Sequence, residues 1–238
     1  MVENVISVLG KAGKDDIRTE PFPHLVVRDA LPQDLFEELI GSFPTTEEIV
    51  GSRALSSNKL IIMGARQVAG NMTISDTWQK YFDYHTSHAF YLDVIALWQD
   101  FIAEAYPDME AILGKSLLDA TTDTRHSGEG ENAANQAQDI QLDCQFGINC
   151  PVDSPSSVRG PHIDSANKLF AGLLYFRHPD DDSTGGDLEM YRYRDPRLRY
   201  RPGKAVDRES FVAMSARKLS RVPPRDVERI SSIPYQAN

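Results

Sequence analysis

The chain has 238 residues with 25 Lys and Arg against 35 Asp and Glu, a formal net charge of −10. Its 41% hydrophobic and 25% charged content is that of a globular chain with a buried core and unlike that of a disordered one, and the acidic total argues against a duplex nucleic-acid binder. No run approaches 18 apolar residues, so no transmembrane helix is expected, and Glu3 stands where a secretory leader needs positive charge. The two cysteines, Cys144 and Cys150, are too few for a disulfide framework, and a reduced, cytoplasmic protein is expected.

The charge is unevenly spread. Residues 189–238 carry twelve Lys and Arg against six Asp and Glu, a local +6, while residues 1–188 stand at −16. A basic end of this kind is either a solvated surface or one that attracts anionic small molecules or an acidic partner.

In chain order, Glu20-Pro-Phe-Pro-His24-Leu-Val-Val-Arg-Asp29 reads as a short strand entered through prolines. Leu31-Pro32 opens a helix with Leu35, Phe36, Leu39, Ile40 and Phe43 on one face, stopped by Pro44. Residues 45–75 read as loop-rich, with one apolar run at Leu60-Ile-Ile-Met63. Ser75 caps a helix carrying Trp78, Tyr81 and Phe82. A second helix runs from about Ser87 to near Pro107 and buries Phe90, Val94, Ile95, Trp98, Phe101 and Ile102. Residues 121–138 are polar and aperiodic and read as a loop.

From Ile140 the period changes to two. Leu142, Cys144, Phe146, Ile148 and Cys150 alternate with Gln141, Asp143, Gln145, Gly147 and Asn149, so the cysteines share a strand's apolar face and read as small buried hydrophobes. Further strands are expected at 168–177, 187–194 and 210–214, divided by Pro/Asp/Gly clusters. Helices first and antiparallel strands afterwards give an α+β class: a mainly helical part, 1–138, and a β part, 139–238, in one domain.

Several motifs fail on inspection. Leu113-Gly-Lys115-Ser116 lacks the first glycine of a phosphate loop, Met109 standing in its place. Neither cysteine has a CxxC partner for zinc or redox work. A carboxylate pair for hydrolysis stays open, because acidic residues are plentiful and their separation cannot be read from sequence.

The segment with chemistry is Arg159-Gly-Pro-His162-Ile-Asp164-Ser-Ala-Asn-Lys168. In extended chain, His162 and Asp164 point to one side and Ile163 to the other. One imidazole and one carboxylate are two members of the facial triad of non-heme Fe(II) oxygenases. Gly160-Pro-His162-Ile-Asp164-Ser-Ala-Asn-Lys-Leu-Phe-Ala-Gly-Leu-Leu-Tyr-Phe176, followed by Gly185-Gly186-Asp187-Leu188, resembles the metal-binding region of the 2-oxoglutarate/Fe(II)-dependent oxygenase superfamily. Pro21-Phe-Pro-His24-Leu-Val-Val-Arg-Asp-Ala-Leu-Pro32 resembles the opening of members related to prolyl 4-hydroxylase.

The resemblance implies a double-stranded β-helix, a jelly-roll or cupin-like barrel, with N-terminal helices on its major sheet. It implies Fe(II) on His162 and Asp164, 2-oxoglutarate as co-substrate, and ascorbate as reductant. The reaction implied is hydroxylation of an unactivated C–H with release of succinate and CO₂. Asp164 favours hydroxylation, because halogenating relatives lack this carboxylate. The substrate is a small molecule or a protein side chain, with no nucleic acid or membrane as partner. Gln145 and Asn149 lie where related enzymes place a side chain against the co-substrate, and otherwise read as strand-surface amides. Arg159 and Lys168 flank the motif as solvated charges or partners of an acidic substrate, and alternation places Arg192 and Arg194, after Tyr191, on one face.

The family pattern also needs a distal histidine and then an arginine for the co-substrate carboxylate. The six histidines are His24, His85, His88, His126, His162 and His178, and none comes later. His85 and His88 read as core or capping residues, His178 as a surface turn, and His126 as a loop residue. Ile233-Pro-Tyr-Gln-Ala-Asn238 looks like the lead-in to the missing strand, so a piece truncated before the last barrel strands, inactive as it stands, is expected. A non-catalytic binding module on the same scaffold is the alternative.

Overall fold

A computed structural model describes residues 6–125, 138–154, 156–157, 159–164, 168–198 and 220–236. The helices are α1 (Gln33–Gly41), α2 (Thr46–Val50), α3 (Ala65–Val68), α4 (Asp76–His85), α5 (His88–Ala105) and α6 (Met109–Leu113). The strands are β1 (Leu60–Gly64), β2 (Thr122–Thr124), β3 (Ile140–Leu142), β4 (Gln145–Asn149), β5 (His162–Ile163), β6 (Leu188–Tyr193), β7 (Ser220–Arg221) and β8 (Val227–Ile233). The class is α+β, as expected. Among the described residues the strands form four two-stranded sheets, β1–β4, β2–β3, β5–β7 and β6–β8, and no closed barrel.

The chain divides into two compact units, one of Met1–Ser7, Leu31–Asp93 and Asp119–Arg159, the other of Val8–Ala30, Val94–Leu118 and Gly160–Asn238. In the first, α1 buries Phe36 and Leu39 and exposes Asp34, Glu37 and Glu38, the pattern its apolar spacing dictates. Residues 45–75 hold more structure than the loop expected. Thr45 Oγ1 accepts from Glu48 N and Glu48 returns a bond to Thr45 N, a capping box that starts α2. That backbone bond holds the Glu48 carboxyl below its usual range. The cap of α4 is as expected, Ser75 Oγ accepting from Trp78 N at 3.3 Å.

β1 and β4 pair antiparallel, with Ile61 opposite Ile148 and Met63 opposite Phe146. Ile61, Met63 and Phe146 are buried, whereas Leu60, Ile62, Gln145 and Asn149 are exposed. The inner face meets the aromatic residues of α4 and Phe43, just past α1: Phe146 stands 4.6 Å from Trp78, 4.7 Å from Phe82 and 5.2 Å from Phe43 between ring centroids. Trp78 Nε1 donates to Leu39 O at 2.9 Å, so its one polar atom is satisfied in the core.

The alternating run from Ile140 is two strands. β3 pairs parallel with β2 and β4 antiparallel with β1, the change of partner falling at Asp143-Cys144. On the apolar face Cys150 is buried and Cys144 half-buried. Desolvation, with Asp143 adding to it, pushes the Cys144 thiol up to about 12.

In the second unit, α5 continues with Val94, Ile95, Trp98 and Ile102 buried and Phe101 half-buried, close to the stripe read from the sequence. β6 and β8 pair antiparallel through a bulge between Met190 and Tyr191, burying Met190 and Val227. Two expected strands are absent. Residues 20–29 contribute only an isolated bridge between His24 and Arg18, because Pro21 and Pro23 offer no N–H to a ladder. Residues 168–177 carry no ladder, and Leu173 is 67% exposed: an apolar run makes no strand without a partner taking its backbone groups. The strand expected at 210–214 lies outside the described residues.

Candidate functional site

β5 places His162 and Ile163 antiparallel to β7, with His162 opposite Arg221 and Ile163 opposite Ser220. A backbone bond from Val222 N to Pro161 O at 2.9 Å extends the ladder by one step. Cross-strand partners in such a pair project to the same side, so Arg221 shares the face of His162. Asp164, two residues on, comes back to that face as the extended period requires.

His162 Nδ1 lies 2.9 Å from Gly160 O. A carbonyl has no proton to give, so Nδ1 carries the hydrogen and donates. In the neutral ring the lone pair is then on Nε2. That nitrogen stands 3.7 Å from Asp164 Oδ1, with 28% of the His162 and 35% of the Asp164 side chain exposed. Asp164 Oδ2 accepts from Lys168 Nζ at 2.9 Å. Metal-bound imidazoles are oriented in the same way on one side, the ring N–H held by a backbone carbonyl and the other nitrogen left for the ion. The two donors thus fit a divalent ion as two of its ligands. Among the described residues no group of three or more His, Cys, Asp and Glu gathers to complete such a site.

His85 is a core residue and His178 a surface one, as the sequence predicts, whereas His88 is exposed and His24 lies on no strand; His126 lies outside the described residues. His85 is 5% exposed, its Nδ1 donating to Tyr81 O at 2.7 Å and its ring 4.0 Å from that of Tyr81. Burial lowers its pKa to about 4. His88 is exposed. His178 is exposed in a turn, where its Nδ1 accepts from Asp180 N at 3.3 Å. His24 is half-buried at its isolated bridge, with Nδ1 donating to Phe22 O.

Gln145 and Asn149 are both on the exposed face of β4 in the first unit, and Gln145 donates to the Asp143 carboxylate. Arg159 is exposed. Arg192 and Arg194 share a face as alternation requires: both reach Glu228 of β8, at 2.6 and 3.6 Å. Arg197 pairs with Asp195, Arg225 with Asp226 and Arg229 with Glu189, so much of the described basic end is a laced surface.

The Gly185-Gly186-Asp187 turn is held from β8 onward. Asp187 Oδ1 accepts from Tyr235 N at 3.0 Å and Oδ2 from Ser232 Oγ at 3.2 Å. The Arg177 guanidinium lies 5.3 Å over the Tyr235 ring and donates to the carbonyls of Tyr235, Asp181 and Ser183. Neither Arg177 nor Tyr235 stands out in the sequence; an arginine beside a Pro/Asp/Gly cluster is a weak signal of a loop clamp.

No family model, curated protein or solved structure matches the chain. Among the described residues no helix is long and apolar enough to cross a membrane.

Proposed function

We propose that the chain carries the iron-binding strand of an Fe(II)- and 2-oxoglutarate-dependent dioxygenase, a hydroxylase on a double-stranded β-helix, with His162 and Asp164 as the first two ligands. The observation that carries the reading is His162 Nε2, freed by the Gly160 carbonyl, facing Asp164 Oδ1 at 3.7 Å. The motif from Gly160 through Gly186-Asp187-Leu188 supports it from the sequence side. Bound iron would supply hydroxylation of an unactivated C–H by O₂, one oxygen atom going to the substrate and the other to succinate as 2-oxoglutarate loses CO₂.

The residues' own work is simpler. His162 offers a lone pair on a ring whose tautomer the backbone fixes, and Asp164 offers a negative oxygen two positions on. Two ligands, one on β5 and one on the residue after it, leave one side of an ion open for a chelating co-substrate. Because no histidine follows His178, a later strand of these 238 residues does not supply the third histidine.

The test is calorimetric titration of Mn(II), with and without 2-oxoglutarate, into the chain and its His162→Ala and Asp164→Ala variants. We expect weak Mn(II) binding, on the order of a millimolar, tightened by 2-oxoglutarate and lost in both variants. Equal binding by the variants, or a 2-oxoglutarate that strips the metal from the protein, would overturn the reading. Tight binding of the kind a full ligand set gives would overturn the claim that ligands are missing.

A further inference from the structure

We infer that Lys168 is a positioning residue that holds Asp164 as a one-oxygen metal ligand, an inference that rests on the metal reading above. Asp164 divides its oxygens between two partners: Oδ2 accepts from Lys168 Nζ at 2.9 Å, and Oδ1 faces His162 Nε2 at 3.7 Å. Two donors each about 2.1 Å from one divalent ion lie roughly 3 to 3.5 Å apart. A shift of a few tenths of an ångström therefore closes the pair on an ion with the Lys168 contact intact.

The terminal torsion of an aspartate is broad. A carboxylate that is 35% exposed can turn either oxygen, or both, toward a ligand. An ammonium on the outer oxygen removes that choice. It leaves one oxygen and one imidazole nitrogen on the face that β5 presents. Outer contacts of this kind change metal affinity by about 10- to 100-fold.

The sign of the charge makes the test discriminating. Removing a cation beside a cation site strengthens the site's attraction for a divalent ion on Coulomb grounds alone. A loss of affinity on removing Lys168 therefore reports lost positioning.

The experiment follows Mn(II) binding by the loss of the free ion's EPR signal, on the 238-residue chain and on Lys168→Met, Lys168→Gln, Lys168→Arg and His162→Ala. Circular dichroism and melting establish that each variant is folded, and Lys168→Gln is read in place of Lys168→Met if the latter is not. We expect the neutral variant to bind at least about tenfold more weakly and Lys168→Arg to recover to within about threefold of wild type. A neutral variant that binds as tightly as wild type, while His162→Ala binds more weakly, overturns the role of Lys168 and leaves the metal reading standing. If His162→Ala binds as well as wild type, the metal reading falls and the role of Lys168 with it.

Discussion

The ring of Tyr235 occupies the space that a side chain on Gly186 would need. A Cβ built there comes within 3.3 Å of the ring, and Gly186 has φ +85°. Gly185, with the same φ, has nothing within 4 Å of its Cβ position. The double glycine thus answers two demands: a left-handed turn at both positions, and close approach to Tyr235 at the second.

Gly186→Ala is therefore expected to cost about 2–3 kcal/mol and Gly185→Ala about 1 kcal/mol, read from denaturant unfolding. In a Tyr235→Ala background the two costs converge, as a double-mutant cycle requires of touching residues. Equal costs in the wild-type background would mean that Tyr235 does not pack on the turn.

Phe146 is the hub of the aromatic cluster in the first unit, 3% exposed among Phe43, Trp78 and Phe82. Phe146→Ala should cost about 3–5 kcal/mol, since the surrounding rings cannot collapse into the space left behind. Phe146→Leu should cost clearly less. A loss under about 1 kcal/mol for the alanine variant would contradict the packing described.

His85 gives the pH dependence its sign. Burial depresses its folded pKa from 6.5 to about 4, against smaller opposing effects of Tyr81 O and Asp93. Between those values the unfolded chain binds more protons than the folded one, so stability falls as pH drops from about 6.5 to about 4. The contribution is on the order of 3 kcal/mol across that window. His85→Gln should flatten the difference in this window while lowering stability at neutral pH. An unchanged slope between pH 6.5 and 4 would rule out His85 as its source.

The thiols should be inert in the folded state. Cys144 is pushed up to about 12, so it presents little thiolate at mildly alkaline pH, and Cys150 is buried out of reach of reagent. Alkylation by iodoacetamide at pH 8 should be slow in buffer and complete in denaturant. Rapid labelling of Cys144 in buffer would show that β4 opens locally or that the thiol is less desolvated than its position implies.

What the sequence determined by itself was local. The apolar stripes of α1, α4 and α5, the Ser75 cap, the inner face bearing Phe146 and Cys150, and His162 and Asp164 on one side of an extended chain all follow from periods of 3.6 or 2 and from side chains within four residues. Thr45-Thr-Glu-Glu48 belongs with these, a capping box legible in the sequence although the segment reads as loop.

Tertiary structure decided the partners. It split the run from Ile140 between β2 and β1, withheld a ladder from residues 168–177, and set Arg221 opposite His162. It also seated Tyr235 under Gly186 and joined Arg192 and Arg194 through Glu228. The reason is physical. Which way a side chain points is fixed by its own backbone, whereas a strand exists only once some distant segment takes its N–H and C=O groups, and nothing in the period of a sequence says which segment that is.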